Sequence, residues 1–412
     1  MKDFFKLKTI PEVLALLDRF AAVETETLPL GQAYRRILAE AMVAVADVPE
    51  FTRTVVDGFA VRARDTFGAS PGAPALLQVV GEINMGEEAV QPLQPGQTVR
   101  IATGGMLPPE ADAVVMIEYT QELDANTQEL FRSVSPLENV LQRGEDVRAG
   151  NRLVPAGIRL RPQDIGLLAA AGVTTVRVYR RPRVAIISTG DEIVPIEASL
   201  RPGQMRDSNA YALAAQVEAV GGAPRQWGIV PDELAALQAR LAAALPESDL
   251  ILLSGGSSVG TRDWAVAAIQ SFPDARILVH GVAISPGKPT ILAMIGNKPL
   301  IGLPGHPASA MIIMEVLGRP LLARLAGLNA PEQSRGRTVT ARLSRNLASP
   351  LGREDFVRVR LRSEAEVLWA DPILGKSGLI STMVRADGWV QIPLHTEGLE
   401  KGEMVEVRLF QT

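Results

Sequence analysis

The chain has 412 residues, 47% hydrophobic and 21% charged, which is too long for one ordinary core and too apolar for default disorder. Lys and Arg number 42 against 46 Asp and Glu, a net charge of −4, so no basic excess coats a phosphate backbone and nucleic acid is not an expected partner. With no cysteine, disulfides, thiolate zinc sites, iron–sulfur clusters and a cysteine nucleophile are excluded; the three histidines, His280, His306 and His395, stand too far apart for a local metal motif.

The opening Met1-Lys2-Asp3-Phe4-Phe5-Lys6 has mixed charge, and no later run reaches the roughly 18 uncharged apolar residues of a membrane span. A soluble, cytoplasmic chain with no membrane partner is expected. Residues 10–46 read as two helices, the first with Pro11 near its start and Val13, Leu14, Leu16, Leu17 and Phe20 at helical spacing. Between 52 and 138 short apolar runs alternate with Gly and Pro, the texture of a small inserted β domain. Residues 140–181 hold a helical run and a strand, and are expected to return beside the first helices.

From 182 to 328 the period changes. Arg183-Val-Ala-Ile-Ile-Ser188 is a solid apolar run, as in a parallel strand buried on both faces. A helix over 209–220 follows, capped by Asp207 or Ser208; then a strand to Val230, a helix from Asp232 to about 245, a strand over 249–254, a strand over 299–303 and a helix over 308–317. Strands alternating with helices of about 10–15 residues define a doubly wound α/β sheet. Beyond 330, alternation such as Val357-Arg-Val-Arg-Leu361 suits a half-exposed antiparallel sheet closing as a small barrel. Four domains are expected: 1–50 with 139–181, helical and mixed; 51–138, inserted β; 182–328, α/β; and 329–412, a C-terminal β-barrel.

In open α/β sheets ligands sit at the carboxyl ends of strands. The loop Ser188-Thr189-Gly190-Asp191-Glu192 places two carboxylates there, as a capped turn or as a ligand contact. Ser254-Gly255-Gly256-Ser257-Ser258-Val259-Gly260 suits an oxyanion, its glycines freeing backbone N–H groups, yet it lacks the Lys of a Walker A loop. Asp263 caps the next helix or approaches a divalent cation. Pro286-Gly287-Lys288-Pro289 fixes a lysine, and Pro304-Gly305-His306-Pro307 opens a helix; each reads as an anion contact or as an ordinary surface turn. In the β domain, Asp57 beside Gly58 and Thr103 before Gly104-Gly105 read alone as hairpin turns.

Taken together the chain resembles the MoeA-type molybdopterin molybdenumtransferase family, which includes the gephyrin E domain. The stretches that carry the resemblance are Val56-Asp57-Gly58-Phe59-Ala60, residues 100–104 with Ala111-Asp112-Ala113-Val114-Val115, Gly144-Glu145-Asp146, Ser188 to Glu192, Asp207-Ser208-Asn209, Ser254 to Gly260, Pro286 to Pro289, Leu303 to Pro307, and Gly352-Arg353-Glu354-Asp355-Phe356-Val357-Arg358. The resemblance implies a four-domain homodimer that inserts molybdate into adenylylated molybdopterin with Mg²⁺, releasing AMP, in an active cleft between the α/β domain of one subunit and the β domain of the other. It implies Asp57, Asp191, Glu192, Asp232 and Asp263 as catalytic, the last four as metal-binding. It assigns Thr103, Ser188, Thr189, Gly190, Ser254, Gly255, Gly256, Ser257, Ser258, Gly260, Lys288, Pro304 and His306 to substrate binding. A molybdopterin adenylyltransferase and molybdoenzyme acceptors are the implied partners.

The chain departs from the family pattern at several places. Val56 and Phe59 replace Met and Tyr, Gly105-Met106 replaces Ala-Pro, Leu141 and Ser285 stand where basic residues are usual, Thr261-Arg262 replaces Asp-Tyr, and His306 replaces Asn. The alternative implied by these departures is a metal-altered or non-catalytic molybdopterin carrier.

Overall fold

The computed structural model describes residues 7–255, 261–329 and 336–410, with the backbone alone at 261–263. Two compact units are present: Met1–Glu40, Ala156–Arg161 and Val176–Thr412 form one, and Ala41–Pro155 with Pro162–Thr175 the other.

The first unit is organised by a six-stranded sheet of β1 (Arg183–Thr189), β2 (Ala223–Val230), β3 (Leu250–Gly255), β4 (Ala275–His280), β5 (Ile291–Ile295) and β6 (Lys298–Leu303). Its order is β2-β1-β3-β6-β5-β4. β2, β1, β3 and β6 are mutually parallel, while β5 runs antiparallel to both β6 and β4. The parallel run expected from the sequence is thus interrupted by one reversed strand before the edge, because only Gly296 and Asn297 separate β5 from β6 and so short a link makes a hairpin, not a crossover.

Both faces of the sheet are covered. α1 (Asn209–Ala219) and α4 (Pro307–Ile313) lie on one, sharing a core with Val184, Ile186, Leu250, Leu252 and Ile301. α2 (Leu234–Ala244) and α3 (Thr261–Gln270) lie on the other, against Ala185, Ile187, Ile251 and Leu253. Burial on both faces is why the strands read as solid apolar runs.

A closed five-stranded barrel follows. Glu354–Glu364 pairs with Val367–Pro372 and with Gly388–Ile392; Met404–Leu409 pairs with Gly388–Ile392 and Thr338–Leu343; Thr338–Leu343 closes back on Val367–Pro372. Leu343, Val359, Ala370, Ile392 and Val407 fill it. The short strand Ile284–Ser285 adds in parallel to Glu354 and Asp355, so the loop after β4 is held directly to a barrel strand.

At the start of the chain the first expected helix forms over Ile10–Leu16, with Thr9 and Glu12 making a reciprocal capping box. The second does not form. Arg35 adopts φ 63°, and Ile37 and Leu38 spend their backbone on bridges to Arg159 and Val178. The apolar spacing at Ile37 and Leu38 therefore serves extended pairing with the returning segment. The second unit holds a six-stranded sheet, in order Ala113–Met116, Gly58–Val61, Gln97–Ile101, Ala75–Ile83, Thr127–Leu130 and Thr120–Asp124, antiparallel except between Ala75–Ile83 and Gln97–Ile101.

Asp249 anchors the entry to β3. It accepts from Arg180 Nη2 at 2.7 Å and from the Arg183 N–H at 2.7 Å. Burial acts to raise its carboxyl pKa, but the Arg180 guanidinium and the Arg183 N–H outweigh burial and hold it below the ordinary value. A carboxyl depressed in the folded state stabilises the fold above its unfolded pKa, and that contribution is lost as pH falls through the folded value. Asp249→Asn is expected to cost about 2 kcal/mol at pH 7, with the gap to wild type narrowing at pH 3. Urea unfolding at both pH values checks this, and an equal gap at both would refute it.

Candidate functional site

Parallel register brings the ends of β1, β3 and β6 to one edge: Ser188 lies opposite Ser254, Thr189 opposite Gly255, and Ser254 opposite Leu303. Gly255 makes the close approach possible, for at φ +138° a Cβ there would stand 2.1 Å from the Thr189 carbonyl oxygen. A hollow at this edge is lined by Thr189, Asp232, Gly255 and Pro304, with Trp264 of α3 half exposed beside them.

Ser188 and Ser254 point instead into the α1 side of the sheet and are 3% and 2% exposed. There Asn209, the first residue of α1, donates both amide hydrogens, to Ser254 Oγ at 2.8 Å and to the Gly305 carbonyl at 2.8 Å. Ser188 Oγ and Asn209 Oδ1 are buried with no hydrogen-bond partner among the described residues. Asp207 accepts from the Ala210 N–H at 3.0 Å and so caps α1. Sequence reasoning quoted Asn209 in a motif but did not assign it to the site.

The carboxylates gather at the same edge. Asp191 Oδ1 accepts from the Asp232 N–H at 3.1 Å. Asp232 has its pKa raised, first by burial and then by the charges of Asp191 and Glu192. Gly190 carries φ +142° with Glu192 Oε2 folded close over it. No group of three His, Asp or Glu side chains able to hold a metal ion by themselves occurs among the described residues. A pair of carboxylates whose mutual repulsion raises a pKa nonetheless suits Mg²⁺, which usually takes one or two protein carboxylates and completes its shell with substrate phosphates and water. Gly256, Ser257, Ser258 and Gly260 lie outside the described residues, as does the side chain of Asp263.

Lys288 and His306 belong to a second, larger feature, a groove of about 570 Å³ between the sheet edge and the barrel. The 281–290 loop is held to the sheet edge because His280 pairs with Ile291, and Ile291 with Gly302 near the end of β6. Gly287 sits at φ +123°, where a Cβ would stand 2.5 Å from Ile313 Cδ1. From the barrel come Arg353, Asp355 and Arg358. Arg353 lies 3.0 Å from Asp355, so that pair is neutral.

Arg358 is different. It is 7% exposed, donates to Thr382 Oγ1 at 3.0 Å and to the Gly375 carbonyl at 3.0 Å, and has no ion-pair partner among the described residues. Burial pulls its guanidinium below the ordinary pKa. Lys288 likewise has no carboxylate within 4.0 Å among the described residues. Two cations without a carboxylate partner among the described residues thus line one groove, an arrangement whose charge suits an anion. Arg358 was missed because the alternation around it predicted an exposed face; in the structure both Arg358 and Val359 are buried. The unit's remaining sequence-derived donor, His306, bonds through Nδ1 to Ser377 Oγ at 2.9 Å.

In the second unit Asp57 and Thr103 come together. Asp57 Oδ1 accepts from the Thr103 N–H at 2.7 Å and the Thr103 hydroxyl at 2.9 Å. These two bonds, the backbone one first, hold the Asp57 carboxyl below its ordinary pKa. Gly58 is required next to it, since a Cβ would stand 2.0 Å from the Val115 carbonyl.

A doubly wound sheet with carboxylates and a cationic groove at its carboxyl edge places the chain among α/β proteins that carry their candidate ligand site at the strand ends. Comparison with known proteins resolves it further. Residues 8–172 match the MoeA N-terminal region (domain I and II), 185–324 a probable molybdopterin binding domain, and 340–410 the MoeA C-terminal region (domain IV). A putative molybdopterin biosynthesis protein of Methanocaldococcus jannaschii is 36% identical over 94% of this chain and 93% of its own length. The molybdopterin molybdenumtransferase of Bacillus subtilis is 34% identical over 94% and 90%. The crystal structure of the molybdopterin biosynthesis MoeA protein of Pyrococcus horikoshii superposes with a TM-score of 0.84 at 31% identity, covering 98% of this chain and all of that one. The chain belongs to the MoeA family.

The Asp57–Thr103 geometry can be tested directly. Thr103→Val keeps the N–H and removes the hydroxyl, so the Asp57 pKa is expected to move upward toward the ordinary carboxylate value. A carboxyl-carbon NMR titration of both proteins checks it, and coincident curves would refute a role for the hydroxyl.

Proposed function

We propose that this protein is a molybdopterin molybdenumtransferase, inserting molybdate into adenylylated molybdopterin and releasing AMP. The observation that carries the reading is the groove lined by the exposed Lys288 and the buried Arg358, neither with a neutralising carboxylate among the described residues, beside the carboxyl edge of the sheet. A small dianion such as molybdate satisfies both cations, and a Lys ammonium and Arg guanidinium together offset the desolvation it suffers there.

The substrate's phosphoanhydride needs charge neutralisation and an aligned attacking oxygen. Asp191 and Asp232 are the side chains that would hold Mg²⁺ against the phosphates, and the cation, when bound, supplies the neutralising charge. A bound cation would offset the charges of Asp191 and Glu192 that, after burial, raise the Asp232 pKa. The Thr189 and Gly255 backbone at the sheet edge gives the substrate a wall without a side chain, and Trp264 offers a flat apolar face for a ring system. The dithiolene sulfurs that finally bind molybdenum belong to the pterin, in keeping with a chain that has no cysteine.

The reading extends to a homodimer in which Asp57 and Thr103 of one copy complete the cleft of the other. It also extends to a cytoplasmic setting, with an adenylyltransferase supplying the substrate and molybdoenzymes receiving the product. No described helix is long and apolar enough to cross a membrane.

Purified protein given adenylylated molybdopterin, Mg²⁺ and molybdate is expected to release AMP only when molybdate is present; tight binding without AMP would favour the carrier alternative. Asp57→Ala and Asp191→Ala are each expected to cut turnover about tenfold or more with unchanged thermal unfolding. Wild-type turnover in both variants would remove these residues from the site.

A further inference from the structure

The groove holds one donor whose chemistry depends on a neighbour. His306 lines it from the sheet side and Ser377 from the barrel side, and they meet through the 2.9 Å contact between His306 Nδ1 and Ser377 Oγ. The contact is braced by a backbone bond from the Ala308 N–H to the Ser377 carbonyl at 3.1 Å. The loop around Ser377 is therefore held both to His306 and to the start of the helix that follows it.

A neutral imidazole carries one N–H, and its place decides what the other nitrogen does. When the Ser377 hydroxyl donates to Nδ1, the hydrogen sits on Nε2 and the ring is a donor. When Nδ1–H donates to Ser377 Oγ, Nε2 is a lone pair that repels an oxyanion. Of these two neutral arrangements, an entering oxyanion stabilises only the first. Resting on the oxyanion-groove reading above, we propose that His306 is a neutral N–H donor to molybdate and that Ser377 is the positioning residue that sets its tautomer. A tetrahedral oxyanion then meets two charged donors and one uncharged donor, and the uncharged one adds direction without further desolvated charge.

With only three histidines in the chain, the test is direct. Protein labelled with [15N]histidine is examined by long-range proton–nitrogen correlation with and without sodium molybdate, the His306 signals being those lost in His306→Ala. Saturating molybdate is expected to move His306 to the Nε2–H pattern. Ser377→Ala is expected to weaken molybdate binding about threefold or more, Ser377→Thr to restore it, and Ser377→Ala to cost nothing further in a His306→Ala background. Unchanged His306 signals at saturation, a doubly protonated imidazolium pattern, or an equal loss from Ser377→Ala in both backgrounds, would overturn the inference. A lower saturating concentration for inorganic phosphate than for molybdate would overturn its assignment to molybdate. Lys288→Ala separates the levels: if it weakens binding while the His306 and Ser377 variants do not, the groove stands and this inference falls. If the His306 signals respond but no AMP is released, this inference stands and the transferase reading falls.

Discussion

The arrangement depends on hydrogen-bond register within a parallel sheet buried on both faces. A slip of one residue between β1 and β3 would turn Ser188 and Ser254 to opposite faces and separate Thr189 from Gly255, so the core pattern that forbids the slip also aligns the loop starts. The Asn209 amide continues that alignment past the strand ends. By donating to Ser254 Oγ and to the Gly305 carbonyl, it ties the end of β3 to the loop after β6 with one planar group whose two donors diverge at a fixed angle. Loop positions at the edge are thus set by the core and by one buried side chain, not by the loops themselves.

Charge is then distributed along this edge with opposite signs at neighbouring places. Toward α2 the acids Asp191, Glu192 and Asp232 crowd one another enough to raise Asp232. Toward the barrel Lys288 and Arg358 lack acidic partners among the described residues, whereas Arg353 is spent on Asp355. Burying Arg358 without a carboxylate is costly, and Thr382 and Gly375 satisfy only part of its fork. A fold that accepts this cost gains a fixed positive end whose geometry does not relax when an anion arrives. The strand Ile284–Ser285, paired in parallel with Glu354 and Asp355, makes the groove a joint product of sheet and barrel.

The α/β layer was legible because its strands and helices each have a period that burial enforces, and because turns fell at Gly and Asp residues with backbone reasons to be there. The inserted β region and terminal barrel followed from short alternating runs. What escaped the sequence shares one cause, a tertiary contact overriding a local pattern. Residues 34–42 have helical spacing, but their backbone pairs with segments some 120–140 residues onward. Arg358 sits in an alternating strand, yet the 373–382 segment folds over it and removes it from solvent. Ser188 and Ser254 stand at the starts of Gly-rich loops, whereas the sheet's pleat turns their side chains inward. Residue types at the site were readable; which atoms face the cavity was not, because that is decided by elements far away in the chain.

The Asp57–Thr103 pair shows how far preparation can go within one unit. Asp57 lies on a tight approach of Gly58 to Val115, and its main-chain carbonyl accepts from the Ile117 N–H at 3.0 Å. Thr54, almost wholly buried, accepts from the Val56 N–H and donates to the Val56 carbonyl, while the Asn139 carbonyl takes the Val55 N–H. Each residue of this turn is therefore bonded to its own sheet, and the Thr103 bonds fix one carboxylate oxygen and favour the charged form. An acid held ionised and oriented by its own unit needs no induced fit to meet a cationic or hydrogen-bonding partner, and the ordering entropy of that encounter has already been met in folding.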